Sequence, residues 1–134
     1  FFLRPFVQAL PSYIQDTGDF LRRINDLPWS DDMIMIGLDV SSLYTSIRHE
    51  DGVRACKYFL RARSLNLHFH TEMLLDMILY CLEHNFFSFD GQYYRQRQGV
   101  AMGTCFAPNL ANLTMGWWEE THVYHFGVLR NTSY

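Results

Sequence analysis

The chain has 134 residues, of which 49% are hydrophobic and 16% aromatic, so it can bury one core and is too short to predict two independent domains. No apolar run approaches the roughly 20 residues that a bilayer-spanning helix needs, and none has the pattern of a signal peptide, so we expect no membrane partner. The net charge of −3 excludes a general attraction to nucleic acid, and any such contact has to come from a local cluster of basic side chains.

The first half of the chain predicts a helix, a buried strand and a second helix. Ser12 and Gln15 have the spacing of a capping box, and apolar residues follow at helical spacing to about Asn25. After Pro28, residues 33–40 are a nearly continuous apolar run, which is typical of a strand buried on both faces. Residues 50–63 then carry an apolar stripe beside a basic stripe, which predicts an amphipathic helix. The stripes are Val53, Cys56 and Leu60, and Arg54, Lys57 and Arg61.

The next segment predicts another helix and a hairpin. Thr71 is suited to cap a helix that buries a broad apolar face and ends near His84. Residues 86–89 and 92–95 flank Asp90-Gly91, a dipeptide that accepts the positive φ angles of a tight turn. They are therefore predicted to be antiparallel strands.

A glycine-containing loop at residues 98–103 precedes the last predicted helix. Pro108 suits the first turn of this helix, and apolar residues at helical spacing extend it to about Thr121. The elements together predict an α+β fold in which an antiparallel sheet is backed by helices.

The cysteines and the two ends of the chain carry further expectations. Cys56, Cys81 and Cys105 are odd in number and widely spaced, which favours reduced thiols in an intracellular protein over a disulfide framework. The chain does not begin with Met, and residues 127–134 contain no signal that closes a helix or strand. We therefore expect it to be incomplete at both ends.

Asp39 stands at the end of the predicted strand, and the residues that follow it, 40–47, mix small hydroxyl residues with one aromatic. A carboxylate held rigidly at a strand end is the kind of ligand that Mg²⁺ prefers. Phosphoryl transfer by polymerases uses two such ions about 4 Å apart, and one Asp cannot hold both. The alternative is an Asp that caps a turn through neighbouring amides.

Two separated motifs resemble the Penelope-like family of reverse transcriptases. Residues 38–47, LDVSSLYTSI, resemble its first catalytic motif. Residues 98–104, QGVAMGT, and 107–113, APNLANL, resemble its Gln-Gly loop and the helix behind it. Residues 3–14 are similar to the segment ahead of the palm, so the resemblance spans most of residues 1–120.

The resemblance implies that residues 1–134 are a partial reverse transcriptase domain. Residues 1–32 would form part of the fingers and lead into the palm, and residues 33–134 would form the palm core. The implied activity is RNA-directed DNA synthesis by two-metal nucleotidyl transfer, with two Mg²⁺ ions, or Mn²⁺, as cofactors. An RNA template, a DNA primer and deoxynucleoside triphosphates would be the partners, and the location would be nuclear.

The first motif implies roles for three residues. Asp39 would be the catalytic carboxylate and a metal ligand, and the carbonyl of Val40 would be a further oxygen ligand. Tyr44 would be the steric gate, with its ring beneath the sugar of the incoming nucleotide, where it excludes a 2′-hydroxyl. From its residue type alone, Tyr44 could equally be a core aromatic with its hydroxyl at the surface.

The second motif implies a loop that packs on the incoming nucleotide and template. Gln98 and Gly99 would make these contacts, since Gly allows close approach of the backbone. Arg95 and Arg97 make the loop locally positive, which favours contact with nucleic acid. An ordinary surface loop remains the alternative.

The chain also departs from the family. The third motif, two adjacent Asp on a hairpin, does not follow Trp118, and we interpret Asp31-Asp32 as a turn ahead of the predicted strand. The basic finger residues that hold the triphosphate would lie upstream of Phe1. We therefore expect this chain alone to be inactive, with a non-catalytic retroelement remnant that binds nucleic acid or protein as the alternative function.

Two further readings rest on single residue types. His and Cys residues could suggest a zinc-dependent binding module, but no pair of knuckles brackets a suitable loop. The residues concerned are His68, His70, Cys81, His84, His122 and His125. The basic stripe fits a solvated helix face better than a nucleic-acid track.

Overall fold

The structure, a computed structural model, describes residues 2–62 and 68–124, without the side chains of residues 68–70. The described residues form α-helices and one small antiparallel sheet, so the fold is α+β, as predicted. The helices are α1 (Arg4–Val7), α2 (Thr17–Asn25), α3 (Leu43–Ser46), α4 (His49–Ala62), α5 (His68–Glu83) and α6 (Ala107–Trp118). The strands are β1 (Phe86–Phe89) and β2 (Gln92–Arg95), and a π-helical turn (Glu119–Val123) continues α6.

The core lies where α4 packs against α5 and α6. The apolar stripe predicted on α4 is confirmed, because Cys56 is fully buried and Val53 and Leu60 pack against the core. Gly52 faces α6, and a Cβ there would lie 3.4 Å from the Leu110 side chain, an ordinary packing distance. Burying such side chains contributes about 1.5–3 kcal/mol each for a Leu or Val. The other buried apolar residues are Leu3, Val7, Leu10, Ile47, Ala55, Leu75, Ile78, Leu82, Val100, Ala107, Ala111 and Leu113.

The basic stripe of α4 mainly forms ion pairs and a ring contact within the protein. Lys57 Nζ lies 3.3 Å, and Arg61 Nη2 3.1 Å, from the two carboxylate oxygens of Glu72 on α5. The guanidinium of Arg54 lies 6.0 Å from the centre of the Trp117 ring, at the edge of cation–π range. The stripe therefore joins α4 to its two neighbouring helices.

Two helix starts differ from the prediction. Helix α2 begins at Thr17, because the Asp16 side chain accepts a hydrogen bond from the Asp19 amide at 2.8 Å and so caps the helix there. The proposed capping box at Ser12 and Gln15 is wrong. Helix α5 already begins at His68, so Thr71 lies inside its first turn and does not cap it.

The strand predicted at residues 33–40 is absent from the structure. This segment has no regular secondary structure and its side chains are exposed, with Ile34 84% and Leu38 87% accessible. A strand needs a partner for its backbone amides and carbonyls, and the sheet of the described residues contains only β1 and β2. The apolar run alone therefore did not determine a strand.

The hairpin β1–β2 is confirmed with the predicted bounds. Asp90 and Gly91 form its turn with φ angles of 48° and 71°, as the dipeptide suggested. However, every residue of both strands is exposed, and none belongs to the core. The expectation that helices back this sheet is wrong, because the described helices pack against one another instead.

The sequence contains no apolar run long enough for a bilayer-spanning helix. Within the described residues, no helix combines the length and hydrophobicity that crossing a bilayer requires.

Candidate functional site

The first motif folds into an exposed segment followed by one short helical turn. Asp39 is exposed, and its carboxylate makes no hydrogen bond or ion pair with other described residues. Three residues later Ser42 adopts a left-handed conformation, with φ 53° and ψ 42°, and its carbonyl accepts the amides of Thr45 and Ser46. This conformation is uncommon outside glycine, and it redirects the chain from the exposed segment into α3.

The second motif docks directly on the end of α3. The amide of Gly99 donates to the carbonyl of Ile47 at 3.0 Å, and the amide of Val100 donates to the carbonyl of Tyr44 at 2.7 Å. The Val100 side chain is buried in the core, so the loop is fixed on its inner side as well. We call this contact between residues 44–49 and 99–100 the motif joint.

Gly99 is required at the joint for two reasons. Its φ angle of 81° lies in the left-handed region, where side chains with a Cβ are strained. A Cβ at this position would also lie 2.7 Å from the Cα of Thr45 and 2.9 Å from the carbonyl oxygens of Tyr44 and Thr45. The close backbone approach expected of this glycine is therefore made to the first motif within the same chain.

His49 closes the joint from the first turn of α4. Its Nε2 lies 2.9 Å from the carbonyl oxygen of Gly99, and since a carbonyl only accepts, Nε2 carries the hydrogen. Sequence reasoning missed His49, because nothing in its neighbours indicates a contact 50 residues further along the chain. It also missed Ile47, whose buried side chain and accepting carbonyl anchor the same loop.

Tyr44 and Gln98 differ in how far they are exposed at the joint. Tyr44 is half-buried and packs against the core, so its position is fixed by neighbouring side chains as well as by its own backbone. Gln98 is exposed, and its carbonyl accepts a hydrogen bond from the Gln96 side chain at 2.9 Å. The Gln98 side chain is therefore open to solvent beside a fixed backbone.

The basic residues predicted near the loop line a polar hollow. Arg95 and Arg97 share this hollow with His49, Gln96 and Glu83. Because Glu83 offsets one of the two positive charges, the local field is only weakly positive. His49 thus belongs both to the motif joint and to the hollow that carries the candidate nucleic-acid contacts.

The metal ligands predicted from the resemblance are only partly present. Among the described side chains, those of residues 2–62 and 71–124, no group of three or more His, Cys, Asp or Glu lies close enough together to hold a metal ion. Asp39 and the Val40 carbonyl supply oxygen donors of the right kind, but a single carboxylate does not form a site for two divalent ions.

Comparisons with models of protein families, with curated proteins and with solved structures found no match to this chain.

Proposed function

We propose that this chain forms the nucleotide-handling part of a reverse transcriptase palm, similar to that of Penelope-like retroelements. The observation that carries the proposal is the motif joint. The motif around Tyr44 and the motif around Gly99 are far apart in sequence, yet three hydrogen bonds to backbone carbonyls hold these two regions together. A polymerase needs such a fixed relation, because the residue that tests the sugar and the loop that packs on the base act on one nucleotide.

The joint also suits the positional demands of catalysis. Groups that select and orient a substrate have to be held within about 0.5 Å by their supporting residues, and misplacement by about 1 Å can cost a hundredfold in rate. Tyr44 is fixed by the core and by Val100, and Gly99 is fixed by Ile47 and His49. In this proposal Tyr44 excludes the 2′-hydroxyl and the exposed Gln98 contacts the incoming nucleotide, while the buried Gly99 holds their two backbones together.

Asp39 is the proposed catalytic carboxylate. It lies five residues before Tyr44, is exposed to solvent, and forms no bond to other described residues that would have to break. In the intact protein Asp39 and the Val40 carbonyl would contribute to a site for two Mg²⁺ or Mn²⁺ ions, together with carboxylates from elsewhere. Such ions would supply charge stabilisation for nucleotidyl transfer.

The remaining assignments follow from the same proposal. Residues 1–32 belong to the fingers and the approach to the palm, and residues 33–134 belong to the palm core. Arg95 and Arg97 contact the nucleic acid, with an RNA template and a DNA primer as its two strands. The protein works in the nucleus.

A non-catalytic remnant is the competing function, and one observation favours it. The segment that carries Asp39 is exposed and lacks the strand that would hold the carboxylate rigidly. Such a chain would retain the motif joint as a folding element and would at most bind nucleic acid or a protein partner.

The deciding experiment is primer extension on an RNA template by a protein that covers the full reading frame around this chain, with Mg²⁺ present. We expect extension by the wild type, none by Asp39→Asn, and increased ribonucleotide incorporation by Tyr44→Ala. Asp26→Asn, an exposed residue outside the joint, is the matched control and should extend as the wild type does. The 134-residue chain alone should not extend a primer.

Two results would contradict parts of this proposal. Extension by Asp39→Asn at the wild-type rate would remove Asp39 from its role. A folded full-length protein that binds RNA but never extends a primer would favour the remnant.

A further inference from the structure

The two faces of the β1–β2 hairpin differ in how their aromatic rings are used. The strand register places Phe86 opposite Arg95 and Ser88 opposite Tyr93. Residues directly opposite each other point to the same side of an antiparallel pair, and side chains alternate along each strand. Phe86, Ser88, Tyr93 and Arg95 therefore form one face, called here the Phe86 face. Phe87, Phe89, Gln92 and Tyr94 form the other, called the Phe87 face.

On the Phe87 face, two of the three aromatic rings stack on each other. The rings of Phe87 and Tyr94 stack with centroids 5.6 Å apart and an angle of 21° between their planes. The Tyr94 hydroxyl also donates to the Gln92 side chain at 3.1 Å. The facing surfaces of these two rings therefore cover each other.

On the Phe86 face the rings are open. Phe86 is 60% and Tyr93 85% exposed, and neither ring stacks on another ring of the described residues. The two are diagonal neighbours across the strands, which places them about 7–8 Å apart. Each ring therefore presents a planar surface of its own, and Arg95 stands beside them on the same face.

The hairpin is also tied to the motif joint. Asn85, next to β1, donates through its side chain to Gln96 at 2.7 Å, and its carbonyl accepts the Gln96 amide at 2.9 Å. The Gln96 side chain in turn donates to the carbonyl of Gln98 in the Gln-Gly loop. The Phe86 face thus has a fixed position relative to the candidate nucleotide site.

We propose that the Phe86 face binds single-stranded RNA by stacking bases on Phe86 and Tyr93, with phosphate contacts from Arg95 and Arg97. Open aromatic rings combined with positive charge along the backbone bind single strands with little sequence preference, and here Arg95 and Arg97 supply that charge, partly offset by Glu83 in the same hollow. The inference deepens the proposed function and rests on it, since the bound strand would be the template leading to the Gln-Gly loop. It would allow a chain of net charge −3 to bind nucleic acid, because the rings would contribute most of the affinity and the two arginines the rest.

The test uses fluorescence anisotropy with the 134-residue chain and a labelled oligouridine of about 12 nucleotides, which is within the range of single-strand site sizes. Removing both rings, as Phe86→Ala with Tyr93→Ala, should weaken binding by at least roughly 25-fold, since each stacked base contributes about 5- to 150-fold. Phe89→Ala removes an exposed ring from the opposite face and should leave the affinity unchanged. Tyr93→Phe keeps the ring and should leave the affinity close to that of the wild type. Tyr93→Leu, which is apolar without a ring, should weaken binding.

The salt dependence tests the arginines separately. Two phosphate contacts predict a slope of about −1.4 in log K against log salt, and Arg95→Gln should reduce it by about 0.7. An RNA duplex of equal length should bind more weakly, because its bases are not accessible to the rings.

Several results would overturn the proposal. Equal losses from the Phe86-face and Phe89 variants would show that the hairpin is needed only for folding, and circular dichroism would reveal that loss of structure. A dimer that dissociates in the double variant, without RNA binding by the wild type, would make the face a contact between two copies. If the 134-residue chain does not bind RNA but a full-length protein extends primers, the proposed role of the Phe86 face is wrong and the polymerase proposal is unaffected. If the chain binds RNA through the Phe86 face but the full-length protein extends no primer, only the polymerase proposal is wrong.

Discussion

His49 Nε2 lies 2.9 Å from the carbonyl oxygen of Gly99, a residue 50 positions further along the chain. This contact joins the first turn of α4 to a loop whose backbone is already hydrogen-bonded to the segment before that helix. The loop is thereby held on both sides of residue 99. Its conformation therefore depends on contacts with residues 44–49 as well as on the glycine at position 99.

Replacing His49 should loosen the loop without unfolding the protein. His49→Ala removes a hydrogen bond of about 1 kcal/mol, so the amides of Gly99 and Val100 should exchange with solvent roughly 5-fold faster. His49→Gln places a donor near the position of Nε2 and should restore much of the protection. The measurement is site-resolved hydrogen exchange.

The matched control is His84→Ala, since the His84 ring, just after α5, contacts Tyr80 of that helix through a 2.9 Å hydrogen-bond distance to its carbonyl and through ring stacking. Unchanged exchange at Gly99 and Val100 in His49→Ala would show that the imidazole does not hold the loop.

Gly99→Ala should disrupt the motif joint. The new Cβ would meet the Thr45 backbone at 2.7 Å, at a φ angle that already disfavours alanine, so we expect a loss of about 2–4 kcal/mol in the free energy of unfolding. Gly103→Ala is the control in the same loop, because its Cβ would have no neighbour within 4 Å. Urea denaturation measures both, and similar stabilities for the two variants would contradict the close approach.

Sequence reasoning succeeded where the structure is determined locally. Asp90-Gly91 specifies a turn through its own φ preferences, and the stripe around Cys56 specifies which face of α4 is buried. It failed at residues 33–40, because a strand depends on a partner that no local pattern reveals. The same distinction applies to the candidate site. Tyr44 and Gly99 could be proposed from their motifs, whereas the hydrogen bond from His49 depends on how α4 and the loop meet in space.

Acid should weaken the contact between α4 and α5 through Glu72. Hydrogen bonds from Arg61 and then Lys57 lower the pKa of the Glu72 carboxyl below its ordinary value of 4.5. A carboxyl whose pKa is lower in the folded state stabilises the fold above its unfolded pKa, and this contribution is lost as the pH falls through the folded value. Between about pH 5 and pH 3 the wild type should therefore lose more stability than Glu72→Gln.

Urea unfolding at several pH values measures this difference. Asp76→Asn is the control on the same helix, because Asp76 forms no ion pair with other described residues. Parallel pH curves for the wild type and Glu72→Gln would show that the ion pairs add nothing to stability.

The cysteines should differ in reactivity. Burial raises the pKa of the Cys56 thiol to about 12, whereas Cys81 and Cys105 are exposed. Because the thiolate is the reactive form, an alkylating reagent near pH 8 should label Cys81 and Cys105 in the native protein and Cys56 only after unfolding. Mass spectrometry of the digested protein locates the label. Equal labelling of all three would mean that the core around Cys56 opens readily.

The exposed apolar segment at residues 33–40 has a consequence for how the protein behaves at high concentration. It combines β-branched and other apolar residues with a single charge, that of Asp39, and contains no proline. Short segments of this kind nucleate intermolecular β-aggregates unless a charged gatekeeper interrupts them. As the single charge in this segment, Asp39 is placed to act as such a gatekeeper, so neutralising it should lower the solubility of the chain.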